Sequence, residues 1–97
     1  MMQESAPSLL SRDLAIVNKR GLHARAAAKF VQCAERFDAE VTVSKDATMV
    51  GGTSIMGLMM LAAGPGSTIR VSAEWRQAEA ALAALAELVE GLFGEEE

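Results

Sequence analysis

Three stretches of the chain alternate apolar and polar residues one for one, and that period of two constrains the fold more than any other feature. Residues 12–17 set Leu14 and Ile16 against their neighbours. Residues 40–45 turn Val41 and Val43 one way and Glu40, Thr42 and Ser44 the other. Residues 68–73 oppose Ile69, Val71 and Ala73 to Thr68, Arg70 and Ser72. Successive strand side chains point to opposite faces, so each stretch reads as a strand with one buried and one wet face. Strands of a sheet covered on both sides would be apolar throughout. The alternation therefore predicts an antiparallel sheet with one face open to solvent and the other covered by helices.

The connecting segments supply the helices. In residues 24–37, Ala27, Phe30, Val31, Ala34 and Phe37 recur at helical spacing. Lys45-Asp46 marks a tight turn, after which residues 47–50 can return antiparallel. Gly51-Gly52 precedes a short helix over residues 54–63, which Gly64, Pro65, Gly66 and Ser67 close. A long helix over residues 76–93 carries Ala78, Leu82, Leu85, Val89 and Leu92 on one face. Its start lacks a Ser, Thr, Asp or Asn cap, so the sequence leaves its first residue open. The order β-α-β-β-α-β-α describes an α+β open-faced sandwich: a four-stranded antiparallel sheet with three helices on one face. The 97 residues suit one domain, expected over residues 12–93, with a flexible tail at 1–11 and an acidic tail at 94–97.

A net charge of −4 and a pI near 5.0 argue against a general binder of nucleic acid or membrane surface, so any basic patch must be local. One cysteine, Cys33, cannot form an internal disulfide, which is compatible with a reducing compartment. Residues 1–11 have no basic n-region and no apolar run long enough to signal secretion or span a bilayer. The expectation is a cytoplasmic monomer without membrane insertion.

The only histidine, His23, falls between Gly21 and the helix that begins at Ala24. Backbone N–H groups at a helix start lack intrahelical partners, and the dipole adds roughly half a positive charge there, so the place attracts anions. Arg25 adds a planar guanidinium suited to phosphate, and Lys19, Arg20 and Lys29 reinforce the local field. A phosphoryl group on a ring nitrogen would sit among donors already in place. The plain alternative is a solvated surface histidine. Other chemistries fail on spacing: Cys33 lies ten residues along the helix, roughly 15 Å away, too far to pair with His23. One His and one Cys do not make a zinc site, and residues 51–57 lack the Gly-Lys-Ser/Thr of a nucleotide loop. No catalytic triad, paired carboxylates or cofactor motif is legible.

Gly-Leu-His-Ala-Arg-Ala-Ala-Ala-Lys-Phe-Val at residues 21–31, Thr-Ser-Ile-Met-Gly-Leu-Met-Met-Leu at residues 53–61 and the element order closely resemble the HPr family, phosphocarriers of the phosphoenolpyruvate-dependent phosphotransferase system. The likeness spans residues 12–93. It implies that His23 accepts a phosphoryl group on Nδ1 from enzyme I and passes it to an enzyme IIA component, with Arg25 as the phosphate partner. A protein of this kind is itself the phosphorylated intermediate, not an enzyme with a substrate pocket, and needs no metal or cofactor. The family's usual proline after that arginine is Ala26 here, a strong helix former in its own right, and the change resembles HPr-like proteins of the nitrogen-related branch. The other class compatible with these residues is a regulatory module that binds a phosphorylated ligand without covalent transfer.

The second motif has two readings as well. Ile55, Leu58 and Ala62 can bury one side of the short helix, leaving Met56 and Met59 elsewhere and Met60 to be placed by tertiary packing. Methionines at helical spacing usually belong to a core, yet so short a helix cannot bury apolar groups on every side against one sheet. The resemblance implies that Ala24, Ile55, Met56 and Met59 dock enzyme I and other partners. Ser54, or its neighbour Thr53, caps the helix. The resemblance also makes Ser54 a regulatory phosphorylation site where an HPr kinase/phosphorylase is present.

Overall fold

The structure, a computed structural model, describes residues 9–95. In chain order the elements are β1 (Leu10–Ala15), α1 (Ala24–Ala34), β2 (Glu40–Lys45), β3 (Thr48–Gly51), α2 (Ile55–Met60), β4 (Thr68–Glu74) and α3 (Ala78–Glu90), followed by a 3-10 turn at Leu92–Gly94. The four strands form one sheet in the order β1-β4-β2-β3, and every pair is antiparallel. Val41, Val43, Ile69, Val71 and Ala73 are buried beneath the helices. The opposite face carries Ser11, Thr42 and Ser72 in one row and Asp13, Ser44 and Arg70 in the next. Three helices cover one side, as the alternation requires.

Alanine sets how closely the helices approach. Ala26, Ala27 and Ala34 of α1 and Ala78, Ala81 and Ala86 of α3 are buried with Phe30, Leu85 and Val89. Small side chains let both helices settle on the sheet while the larger ones fill the space between. Leu58 is the buried residue of α2.

Several boundaries differ from the sequence reading. β1 begins at Leu10 and ends at Ala15, two residues earlier than expected and inside the stretch read as a tail; residues 1–8 of that tail lie outside the described residues. Ile16 keeps its buried place beyond the strand because its N–H donates to Ser67 O at 2.8 Å and its carbonyl accepts from Gly66 N–H at 2.8 Å. β2 occupies the expected 40–45, and β3 is shifted by one residue across a two-residue turn in which Asp46 adopts φ 56°. α1 stops at Ala34, where Arg36 and Phe37 switch to shorter-range bonds to Cys33 and Ala34, so Phe37 is only partly buried. α2 is six residues, not ten. Its last bonds are also short-range, and Ala62 turns the chain at φ 52°, so Leu61 and Ala63 face inward while Ile55 and Ala62 are exposed. The expected buried set Ile55, Leu58 and Ala62 therefore keeps only Leu58.

α3 is also shorter than its expected 76–93. Gln77 precedes it without a side-chain cap and is used elsewhere: it accepts from Asp38 N–H at 2.7 Å and donates its own N–H to Asp38 O at 2.9 Å. After Gly91 come three left-handed residues, Leu92, Phe93 and Gly94. They end the helix and bury Phe93 completely. Lys29 of α1 donates to Phe93 O at 2.7 Å, so the turn after α3 is carried across to α1.

Candidate functional site

The loop before α1 is built on Asn18, the one buried polar residue among those described. Its carbonyl accepts the Gly21 N–H at 3.2 Å, and its side-chain amide donates to Gly21 O at 2.8 Å. Gly21 adopts φ 67°, and a Cβ there would stand 2.7 Å from Ala63 O, so the position demands glycine twice over. Leu22 is buried and donates its N–H to the same Ala63 oxygen at 2.9 Å. This loop delivers His23 to the N-cap of α1 in extended conformation, with no side-chain cap bond.

Ala27 N–H is the first to donate along the helix, to His23 O at 2.8 Å. The N–H groups of Ala24, Arg25 and Ala26 therefore stand outside the helical ladder, with the positive end of the dipole behind them. Arg25 is exposed, and its guanidinium forms no hydrogen bond or ion pair with any described residue. The guanidinium and the helix end can both serve an anion at the imidazole.

The ring itself is held from one side. Its Nε2 is hydrogen-bonded to Glu95 Oε2, and both side chains are largely shielded, at 16% and 17% exposure. The second Glu95 oxygen, Oε1, accepts from the Asn18 amide at 3.1 Å. The hydrogen bond from His23 holds the Glu95 carboxyl below the usual carboxylate range, with smaller help from Asn18 and Arg20 and against the effect of burial. Among the described residues, none hydrogen-bonds Nδ1 of His23. Glu95 lies in the stretch read as an acidic tail, and neither it nor Asn18 was among the site residues expected from sequence.

Ser54 is the cap of α2: its Oγ accepts from Gly57 N–H at 2.9 Å, which decides between it and Thr53. Beyond it Ile55, Met56, Met59 and Met60 are all exposed, Met56 and Met60 by 73% and 74%. The bond between Leu22 and Ala63 joins this surface to the histidine loop. A surface cleft lies between α1 and α3 around Cys33, away from His23, and burial there pushes the thiol's pKa up. Among the described residues no group of three or more His, Cys, Asp or Glu is placed to hold a metal, and no helix is long and apolar enough to cross a membrane.

Residues 10–91 match the family model described as the PTS HPr component phosphorylation site. The chain belongs to the HPr family. It is 47% identical over 89 residues to the phosphocarrier protein HPr of Neisseria meningitidis, an alignment that covers 92% of this chain and all of that one. It is 43% identical to the phosphocarrier protein NPr of Shewanella violacea, covering 89% and 94%. The crystal structure of HPr-C-His from Thermoanaerobacter tengcongensis superposes with a TM-score of 0.86 at 44% identity, covering 91% of this chain and 99% of that one. As an HPr, the chain is a phosphocarrier of the phosphotransferase system, and its open α+β sandwich is the architecture of its relatives.

Proposed function

We propose that His23 is the phosphoryl acceptor, that it is charged by phosphorylated enzyme I, and that it passes the group to an enzyme IIA component. The observation that carries this reading is the contrast between the two ring nitrogens. Nε2 is engaged by Glu95, whereas Nδ1 has no described partner and belongs to a ring at the start of α1 beside Arg25. The lone pair of Nδ1 attacks phosphorus, the donor's bond to phosphorus breaks, and its electron pair leaves with the donor. Transfer to the acceptor repeats the exchange in the other direction. Arg25 and the free N–H groups of Ala24, Arg25 and Ala26 are available to the phosphoryl oxygens, where developing charge is stabilised by donors fixed beforehand.

Partner docking falls to Ala24 and to Ile55, Met56 and Met59, exposed apolar groups on a helix joined to the histidine loop. Ser54, exposed at the head of that helix, is the regulatory site on which an HPr kinase/phosphorylase acts. A dianion there would have to be partly desolvated against an apolar contact, which weakens docking. Incubation with enzyme I and phosphoenolpyruvate, followed by intact mass measurement, tests the reading. One added phosphoryl group is expected; an unchanged mass with measurable binding to the partner would favour a non-covalent module instead.

A further inference from the structure

We propose that Glu95, steered by Asn18, is a positioning residue for His23 that keeps a proton on Nε2 and so leaves Nδ1 as the reacting atom. The inference rests on the phosphocarrier reading and deepens it. A carboxylate can only accept, so its bond to Nε2 requires the proton to be on that nitrogen, and the neutral ring must then present its lone pair at Nδ1. Asn18 fixes the carboxylate in turn. Both amide hydrogens are placed, one on Gly21 O and one on Glu95 Oε1, while its own oxygen is buried without a described partner; the amide is thus oriented by what it donates. The unusual run of left-handed residues at 92–94, with buried Phe93 as anchor and Lys29 on its carbonyl, brings Glu95 to the ring from 72 positions away.

The same contact serves the charged state. When Nδ1 gains phosphorus the ring becomes cationic while Nε2 keeps its proton, and the bond to Glu95, already charge-assisted by the carboxylate, becomes an ion pair. Glu95 never touches the phosphoryl group. Its effect passes through the imidazole, as a carboxylate behind a catalytic histidine holds the tautomer and stabilises the imidazolium.

Two readouts on Glu95→Ala and Glu95→Gln decide it, with the full chain in each case. Ring 15N chemical shifts of unphosphorylated protein, at a pH where the imidazole is neutral, should show wild type with the proton on Nε2 alone. Glu95→Ala should show a mixture of tautomers, and Glu95→Gln, which retains an acceptor of the same shape, should restore most of the wild-type distribution. Transfer from enzyme I should fall about tenfold in maximal rate for Glu95→Ala, with KM for the carrier unchanged because Glu95 is not among the docking residues Ala24, Ile55, Met56 and Met59. A wild-type ring protonated on Nδ1, or Glu95→Ala with wild-type tautomers and wild-type rate, overturns the proposal. If wild type takes up no phosphoryl group at all, it is the phosphocarrier reading that fails, and the 15N shifts still decide whether Glu95 sets the tautomer.

Discussion

Leu22 gives its backbone N–H to the carbonyl of Ala63, 2.9 Å away, and through that bond the loop carrying His23 is fastened to the segment leaving α2. The proposed site of chemistry and the proposed docking surface are thus held in one arrangement by a backbone contact that no side-chain substitution removes directly. Gly21 makes the approach possible.

Replacing Gly21 with alanine puts a Cβ into the space occupied by the Ala63 carbonyl and forces a non-glycine residue to φ 67°. The loss should be about 2 kcal/mol or more, measured by chemical denaturation, because the opposing atom is backbone and cannot rotate away. A change below about 0.5 kcal/mol would mean that the loop moves freely off α2.

Arg25→Ala should leave stability within about 0.5 kcal/mol, as expected for an exposed residue without described partners. Phosphoryl transfer should slow, since charge-assisted contacts to the phosphoryl oxygens are lost. Unchanged stopped-flow rates would make Arg25 a bystander.

Ser54 separates capping from docking. Ser54→Ala removes the acceptor for Gly57 N–H and should cost about 1 kcal/mol while leaving transfer near wild type. Ser54→Asp retains a capping oxygen and adds charge beside Ile55 and Met56, so its melting temperature should hold while KM for transfer rises. If Ser54→Asp transfers as fast as wild type, the residue is a cap and nothing more.

Much of this architecture was legible because strand alternation is a local signal: β2 runs over 40–45 as expected, and β4 extends past its expected end by one residue. Position before a helix narrowed the cap to Ser54 or Thr53, and the bond from Gly57 N–H decides for Ser54. The misplaced ends have one cause in common, in that they depend on which backbone groups meet across the fold. Ile16 leaves its strand to bond the turn at Ser67, and α3 yields to the left-handed Leu92 and Phe93, residues whose identity gives no hint of that conformation. Asn18 and Glu95 are 77 positions apart and join only because that turn recrosses α1. No spacing rule reaches such a pair.

Glu95 also predicts a pH dependence with a definite sign. Its carboxyl titrates lower when folded than when unfolded, chiefly through the hydrogen bond from His23. Its contribution to stability is therefore complete above the unfolded carboxylate range and is lost as pH falls through the folded value. The gap in melting temperature between wild type and Glu95→Gln should stay level from neutral pH to about pH 5 and close on further acidification. A gap that fails to narrow as the carboxylate is protonated would show that the carboxylate is not the source.

The bond between His23 and phosphorus is the most direct test of the account. After charging by enzyme I and phosphoenolpyruvate, the adduct should be stable in alkali and labile in acid, as a phosphoramidate is, and His23→Ala should abolish it. An acid-stable label, or one that survives His23→Ala, would contradict the assignment of the phosphoryl group to this histidine.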